Sequence, residues 1–153
     1  MVVSNNYECA KALVVAKMIS GRYRTEYLFK YWTPSNREGY CLARTCTGIV
    51  GDLEHILITC PAFNEIRKRL RDMWLSKTAK FPSLNQLFKS ILSSPPEIQV
   101  QFILDPTFFD GVMMQVEING IELVQHVLYL TRTYAYYIHR ERLKMLGCWP
   151  GDH

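Results

Sequence analysis

Three cysteines and a histidine crowd one short stretch of this chain, and burying them together dictates how the backbone around them must turn. Cys41, Cys46, His55 and Cys60 read C-x4-C-x8-H-x4-C within YCLARTCTGIVGDLEHILITCP. Thiolate and imidazole are the donors zinc prefers, and four of them close a tetrahedral structural site. Three of the five cysteines of the chain fall in this window, a clustering that points to shared chemistry. The spacing is neither that of a two-Cys two-His finger nor that of a retroviral knuckle. Ordinary buried thiols therefore stand as the alternative.

Four donors can serve one ion only if the backbone makes them converge. Gly48 and Gly51 break the chain between the second cysteine and the histidine and permit a tight turn. Asp52 is placed to cap a helix starting near Leu53, with Glu54 in its first turn and His55 on its surface. Cys60 lies five positions after His55, about 140° away around an ideal helix. Pro61 resolves this, because the residue before proline is pushed out of helical geometry. Cys60 can then leave the helix and turn back toward His55. Ile56, Leu57 and Ile58 supply apolar surface to neighbouring helices. Four protein ligands leave no open coordination position, so the expected zinc is structural and not catalytic.

The remainder of the chain predicts a mainly α fold: one small multi-helix domain over residues 1–153, with the zinc-binding loop-helix of residues 41–60 embedded in it. At 153 residues the chain is long enough to bury a real core. Helices are predicted over Tyr7–Ser20, Arg22–Trp32, Leu53–Thr59 and Pro61–Lys77. Further helices are predicted from a Ser83 cap to Leu92, over Ile98–Leu104, and from Phe108 to Leu146 with a break at Asn119-Gly120. Gly147 and then Pro150 stop the last one. Phe63, Ile66, Leu70, Met73 and Trp74 recur at helical steps and form a core stripe, which turns Lys68, Arg69 and Arg71 outward. Tyr134, Tyr136 and Tyr137 beside Arg132, Arg140 and Arg142 have the composition of a base-stacking surface, but at helical spacing core is the better reading. His126 and His139 each stand alone on a helix, and Cys9 and Cys148 read as buried thiols. No apolar run reaches the length of a membrane span and no secretory leader is visible. The odd cysteine count lacks the pairing of a secreted disulfide scaffold, so an intracellular, reducing compartment is expected.

The formal net charge is +4, unevenly spread. Residues 1–45 carry seven Lys/Arg against three Glu, and residues 61–80 six against two acids. Residues 93–131 carry five acids and no Lys or Arg. Basic surface can thus flank the cysteine window on both sides, with Arg22, Arg24, Lys30 and, just past Cys41, Arg44 on one side and Lys68, Arg69 and Arg71 on the other. These are candidate contacts to the phosphates of RNA or DNA. A solvated face of mixed charge explains the same pattern equally well.

In three stretches the chain resembles the C-terminal segment of reverse transcriptases from LINE-type, non-LTR retrotransposons. They are GRYRTEYL at Gly21–Leu28, the cysteines with GDLEHILITCPAF at Cys41–Phe63, and LYLTRTYAYYIHRERLKMLG at Leu128–Gly147. Cys41, Cys46, His55 and Cys60 match the ligand positions of that family, with a longer gap between the first two cysteines. The resemblance implies a zinc-knuckle-like module that follows a polymerase domain and grips RNA or target DNA. The chain contains no Asp-Asp dipeptide, whereas the polymerase of that family holds its metal ions on such a pair. On this resemblance the chain is the non-catalytic tail of an element, as a fragment or a remnant, with the parent polymerase domain a further partner. The rival is a structural or protein-interaction module in which zinc only staples the fold.

Overall fold

The computed structural model describes residues 6–147. It is mainly helical, with six α-helices: α1 (Asn6–Ile19), α2 (Asn64–Lys77), α3 (Pro82–Leu92), α4 (Pro96–Leu104), α5 (Asp110–Asn119) and α6 (Ile121–Leu146). Among the described residues the only extended pairing is a single antiparallel bridge between Tyr40 and Val50. None of the described helices is long and apolar enough to cross a membrane.

The long helix α6 organises the rest, packing against α1, α2, α4 and α5. Leu123, Val127, Leu130, Tyr134 and Ile138 recur at three- and four-residue steps, and all are buried. That stripe faces the core along nearly the whole helix. Trp74 of α2 sits at the centre of the packing. Its ring meets Phe88, Phe102 and Tyr134 at centroid separations of 5.2, 5.8 and 5.0 Å. Its indole Nε1–H donates to the Leu130 carbonyl at 2.9 Å, so the one polar atom of the ring is satisfied where it is buried. Tyr134 and Tyr136 are core residues as the helical spacing predicts, while Tyr137 remains partly exposed.

Gly120 and Gly147 end α5 and α6 with φ of 87° and 72°, so the predicted interruption at Asn119-Gly120 and the predicted stop are both present. Three local expectations are corrected. The stretch Arg22–Trp32 is not an α-helix: only Lys30–Trp32 forms one 3₁₀ turn. Tyr23, Thr25 and Glu26 all face inward, and the Thr25 amide turns back to Tyr23 O at 3.0 Å. Tyr23 bonds His139 Nδ1 through its hydroxyl at 3.0 Å, and Glu26 bonds the Arg142 guanidinium at 3.3 Å. These two buried contacts with α6 override the weak helix preference of an aromatic-rich segment. Ser83 does not cap α3. Phe81 holds the capping position without a side-chain bond and Pro82 starts the helix, its fixed φ suiting the first position. Cys9 is exposed, not buried, because Val14, Val15 and Met18 form the inward face of α1. Cys148 and Pro150 lie outside the described residues.

The central position of Trp74 has a measurable consequence. Trp74→Ala is expected to destabilise the protein by about 3–5 kcal/mol, read as a lowered denaturant midpoint at unchanged slope. Trp74→Phe keeps most of the packing and is expected to cost roughly 1 kcal/mol.

Candidate metal centre

Two chain segments carry the cluster. The first is a narrow loop from residue 39 to residue 51. It is closed by Cys41 N–H to Ile49 O at 2.7 Å and Gly51 N–H to Gly39 O at 2.8 Å, with Gly48 at φ 69° in the tip. Within the loop, Cys46 N–H donates to Ala43 O at 3.0 Å, folding Cys41 and Cys46 toward each other. Gly51 does not act as a turn residue. It is where the chain passes the buried Glu26, and a Cβ there would lie 2.7 Å from Glu26 Oε2.

The second segment runs from Asp52 to Phe63. The Asp52 carboxylate accepts from the His55 amide at 2.8 Å, capping the helix start as predicted. The helix then widens into a π-turn over His55–Thr59. Its closing bond runs from Cys60 N–H to His55 O, five residues back, at 2.7 Å. The wider turn carries Cys60 over His55, where an ideal α-helix would have swung it aside. Cys60 itself is extended, with φ −62° and ψ 120° before Pro61, as the proline requires. A 3₁₀ turn over Pro61–Phe63 leads into α2. Predicted as one helix from Pro61, this region divides at Asn64.

Together these segments bring Cys41, Cys46, His55 and Cys60 into one buried cluster. Their four donor atoms lie within 4.8 Å of one another and could hold a metal ion. Cys41 Sγ and Cys60 Sγ are 3.9 Å apart, Cys46 Sγ and Cys60 Sγ 3.8 Å, and Cys46 Sγ and His55 Nε2 3.4 Å. The outer nitrogen of the imidazole, Nδ1, lies 3.1 Å from Thr59 Oγ1. A proton on Nδ1, donated to Thr59, leaves the Nε2 lone pair directed at the sulfurs. Burial holds the His55 pKa below its ordinary value, which keeps the ring neutral and able to donate that pair.

The thiols are unequal. Cys41 is pushed up by its bond to Cys60 and then by burial, and Cys46 is pushed up chiefly by burial. Cys60 is lowered, first by the bond it accepts from Cys41. The Ala43 amide is directed at the Cys41 sulfur and the Ala62 amide at the Cys60 sulfur. Both favour the thiolate form that a metal needs.

Arg67 holds this arrangement from behind. It is buried, and its Nε–H donates to Leu57 O at 3.2 Å. One terminal nitrogen donates to Cys60 O at 2.9 Å and the other to Asn64 Oδ1 at 2.7 Å. Its neighbours differ. Lys68 and Arg69 are exposed, whereas Arg71 is half-buried, with one guanidinium nitrogen 3.5 Å from Gln99 Oε1. Arg22, ahead of the loop, and Arg44, between Cys41 and Cys46, are exposed. Arg24 lies over the Phe29 ring and Lys30 over Tyr27 and Tyr31. Thr59, Arg67 and the exposed aromatics Tyr31 and Trp32 are not marked by ligand spacing. The only sequence signal for the last two is the density of rings from Tyr27 to Trp32 around Lys30. No family model, characterised protein or solved structure matches this chain.

Thr59→Val removes the acceptor for Nδ1 while keeping the shape of the side chain. Metal affinity, measured by competition with a chromophoric chelator, is expected to fall roughly tenfold, the lower end for such a partner, since Thr59 is exposed and water can replace its hydroxyl. An unchanged affinity would show that Thr59 does not orient the ring.

Proposed function

We propose that this chain is a zinc-stapled helical module that binds RNA or DNA without catalysing a reaction, acting as the C-terminal part of a LINE-type reverse transcriptase. The observation that carries the zinc reading is the spacing of the donors. With zinc about 2.3 Å from sulfur and about 2.0–2.1 Å from nitrogen, a regular tetrahedron has S···S edges of about 3.8 Å and S···N edges of about 3.5 Å. Three of the six donor separations match these edges, S···S at 3.9 and 3.8 Å and S···N at 3.4 Å, and all six lie within 4.8 Å. Three thiolates and an imidazole form a soft donor set that suits zinc and not the hard cations. With all four positions taken by protein, such an ion would staple the loop to the π-turn. Three thiolates around a divalent ion carry one net negative charge. The Arg67 guanidinium, bonded to the carbonyl of Cys60, is placed to offset it.

The nucleic-acid part rests on the exposed basic residues Arg22, Arg44, Lys68 and Arg69, joined by Arg24, Lys30 and Arg71. The reverse-transcriptase part rests on the resemblance of Gly21–Leu28, Cys41–Phe63 and Leu128–Gly147. With no Asp-Asp pair in the sequence, the chain's role in such an enzyme would be to bind and position, not to polymerise. One observation favours the rival reading of a protein-interaction module. Met114 and Ile118 of α5 and Ile121 at the start of α6 are each more than half exposed, as is Phe108 just before α5, and exposed apolar patches mark contact surfaces.

Two measurements test the proposal. Purified protein is expected to carry one zinc per chain by elemental analysis. Cys46→Ser should lose it and Cys9→Ser, at an exposed site on α1, should not; zinc-free protein of normal stability would sink the zinc reading. Fluorescence anisotropy with labelled RNA and DNA is expected to show modest, sequence-tolerant binding that weakens steeply with salt. Replacing Lys68 and Arg69 by Gln should flatten the salt slope by about two units if both touch phosphate. Absence of binding at low salt by folded, zinc-loaded protein would leave the interaction-module reading standing.

A further inference from the structure

The segment between α1 and the metal loop carries two of the three most exposed aromatic rings of the described residues. Tyr31 is 81 % exposed and Trp32 72 %. Large aromatic side chains left this open on a surface forgo burial that would stabilise the fold, and here they stand among cations. Lys30 places its ammonium 4.1 Å from the Tyr27 ring centroid and 5.1 Å from that of Tyr31. Trp32 leans on Phe29 at 5.4 Å, and the Arg24 guanidinium covers Phe29 at 5.0 Å. Rings and positive charges thus pair in two neighbouring groups, Lys30 with Tyr27 and Tyr31, and Arg24 with Phe29 and Trp32.

This surface is tied to the metal centre. The Tyr27 amide donates to Gly51 O at 3.3 Å, and the Gly51 amide in turn closes the loop that carries Cys41 and Cys46. Asn36 bonds both the carbonyl and the amide of Tyr40, at 2.7 and 3.0 Å, and so fixes the chain that returns from Trp32 to Cys41. The rings are exposed, but they are mounted on a braced turn.

We propose that Tyr31 and Trp32 are a stacking platform for unpaired bases of a single-stranded nucleic acid, with Arg24 and Lys30 taking the adjoining phosphates. The assignment rests on the nucleic-acid reading above and narrows it to single strands. Bases inside a duplex already stack on each other and offer no free face, whereas a single strand lays its bases on aromatic rings and its phosphates along cations. Every base has such a face, so the platform is tolerant of sequence. Ribose and deoxyribose strands share this chemistry.

The test is anisotropy with zinc-loaded protein and labelled single-stranded RNA, single-stranded DNA and duplex DNA of equal length. Both single strands are expected to bind at least tenfold more tightly than the duplex. Tyr31→Ala with Trp32→Ala should weaken single-strand binding about ten- to a hundredfold at every salt concentration, with the salt slope unchanged. Tyr31→Phe with Trp32→Phe should restore most of the affinity. Because both side chains project from the surface, circular dichroism and zinc content should match the parent protein in each variant. Parent-like single-strand binding by the alanine variant, or equal affinity for duplex, overturns the platform while leaving the nucleic-acid reading intact. No binding of any strand by the parent protein overturns both. A concentration-dependent dimer in sedimentation that the alanine variant dissolves, with nucleic-acid affinity unchanged, would assign the rings to self-association instead.

Discussion

The carbonyl of Leu57 joins the two halves of this molecule. It accepts from Arg67 Nε–H at 3.2 Å and from the Tyr134 hydroxyl at 2.8 Å. A π-turn bonds five residues back and ends abruptly, so its last carbonyls lose their helical partners. Buried as they are, those carbonyls would be costly to leave unpaired. Arg67 from α2 and Tyr134 from α6 supply the missing donors, and Arg67 extends to the carbonyl of Cys60 as well. The same bonds that satisfy the backbone fix the position of a cluster sulfur relative to the helical core. Tyr134 also stacks on Trp74, so the cluster and the aromatic core share a side chain.

A second buried link holds the cysteine loop from its other side. Glu26 and Arg142 form an ion pair in which both side chains are almost wholly buried. Glu26 also accepts from the Leu42 amide, next to Cys41, at 3.4 Å. Removing one partner of such a pair leaves a charge buried without its counterion, which costs far more than the pair contributes. The far end of α6 is thereby locked to the loop. The long helix touches the cluster region twice, through Tyr134 at the π-turn and through Arg142 beneath the loop. A metal ion bound by the four donors would close a frame already braced by protein contacts.

This arrangement separates holding from contacting. Cys41, Cys46, His55 and Cys60 are buried, as is Arg67, and none of them is available to a large partner. Residues that can meet a partner lie outside: Arg22, Arg44, Lys68 and Arg69 by charge, Tyr31 and Trp32 by their open rings.

The sequence by itself determined the helical class, most helix positions and the four residues of the cluster. Those features are local: apolar residues at helical steps, glycines and prolines at element ends, and donor residues crowded into one window. It also showed that Asp52 caps a helix and that Pro61 releases Cys60 from it, since both effects act within a few bonds. Tertiary structure alone decided that the helix after Asp52 widens into a π-turn, because that depends on donors from Arg67 and Tyr134, ten and seventy-seven residues away from Leu57. It decided that Arg67 turns inward while its neighbours Lys68 and Arg69 stay exposed. It also dissolved the helix expected from Arg22 to Trp32, where Tyr23 and Glu26 are claimed by His139 and Arg142, more than a hundred residues on. Local pattern fixes what a segment prefers, but where a buried polar group finds its partner across the fold, the partner's position sets the backbone.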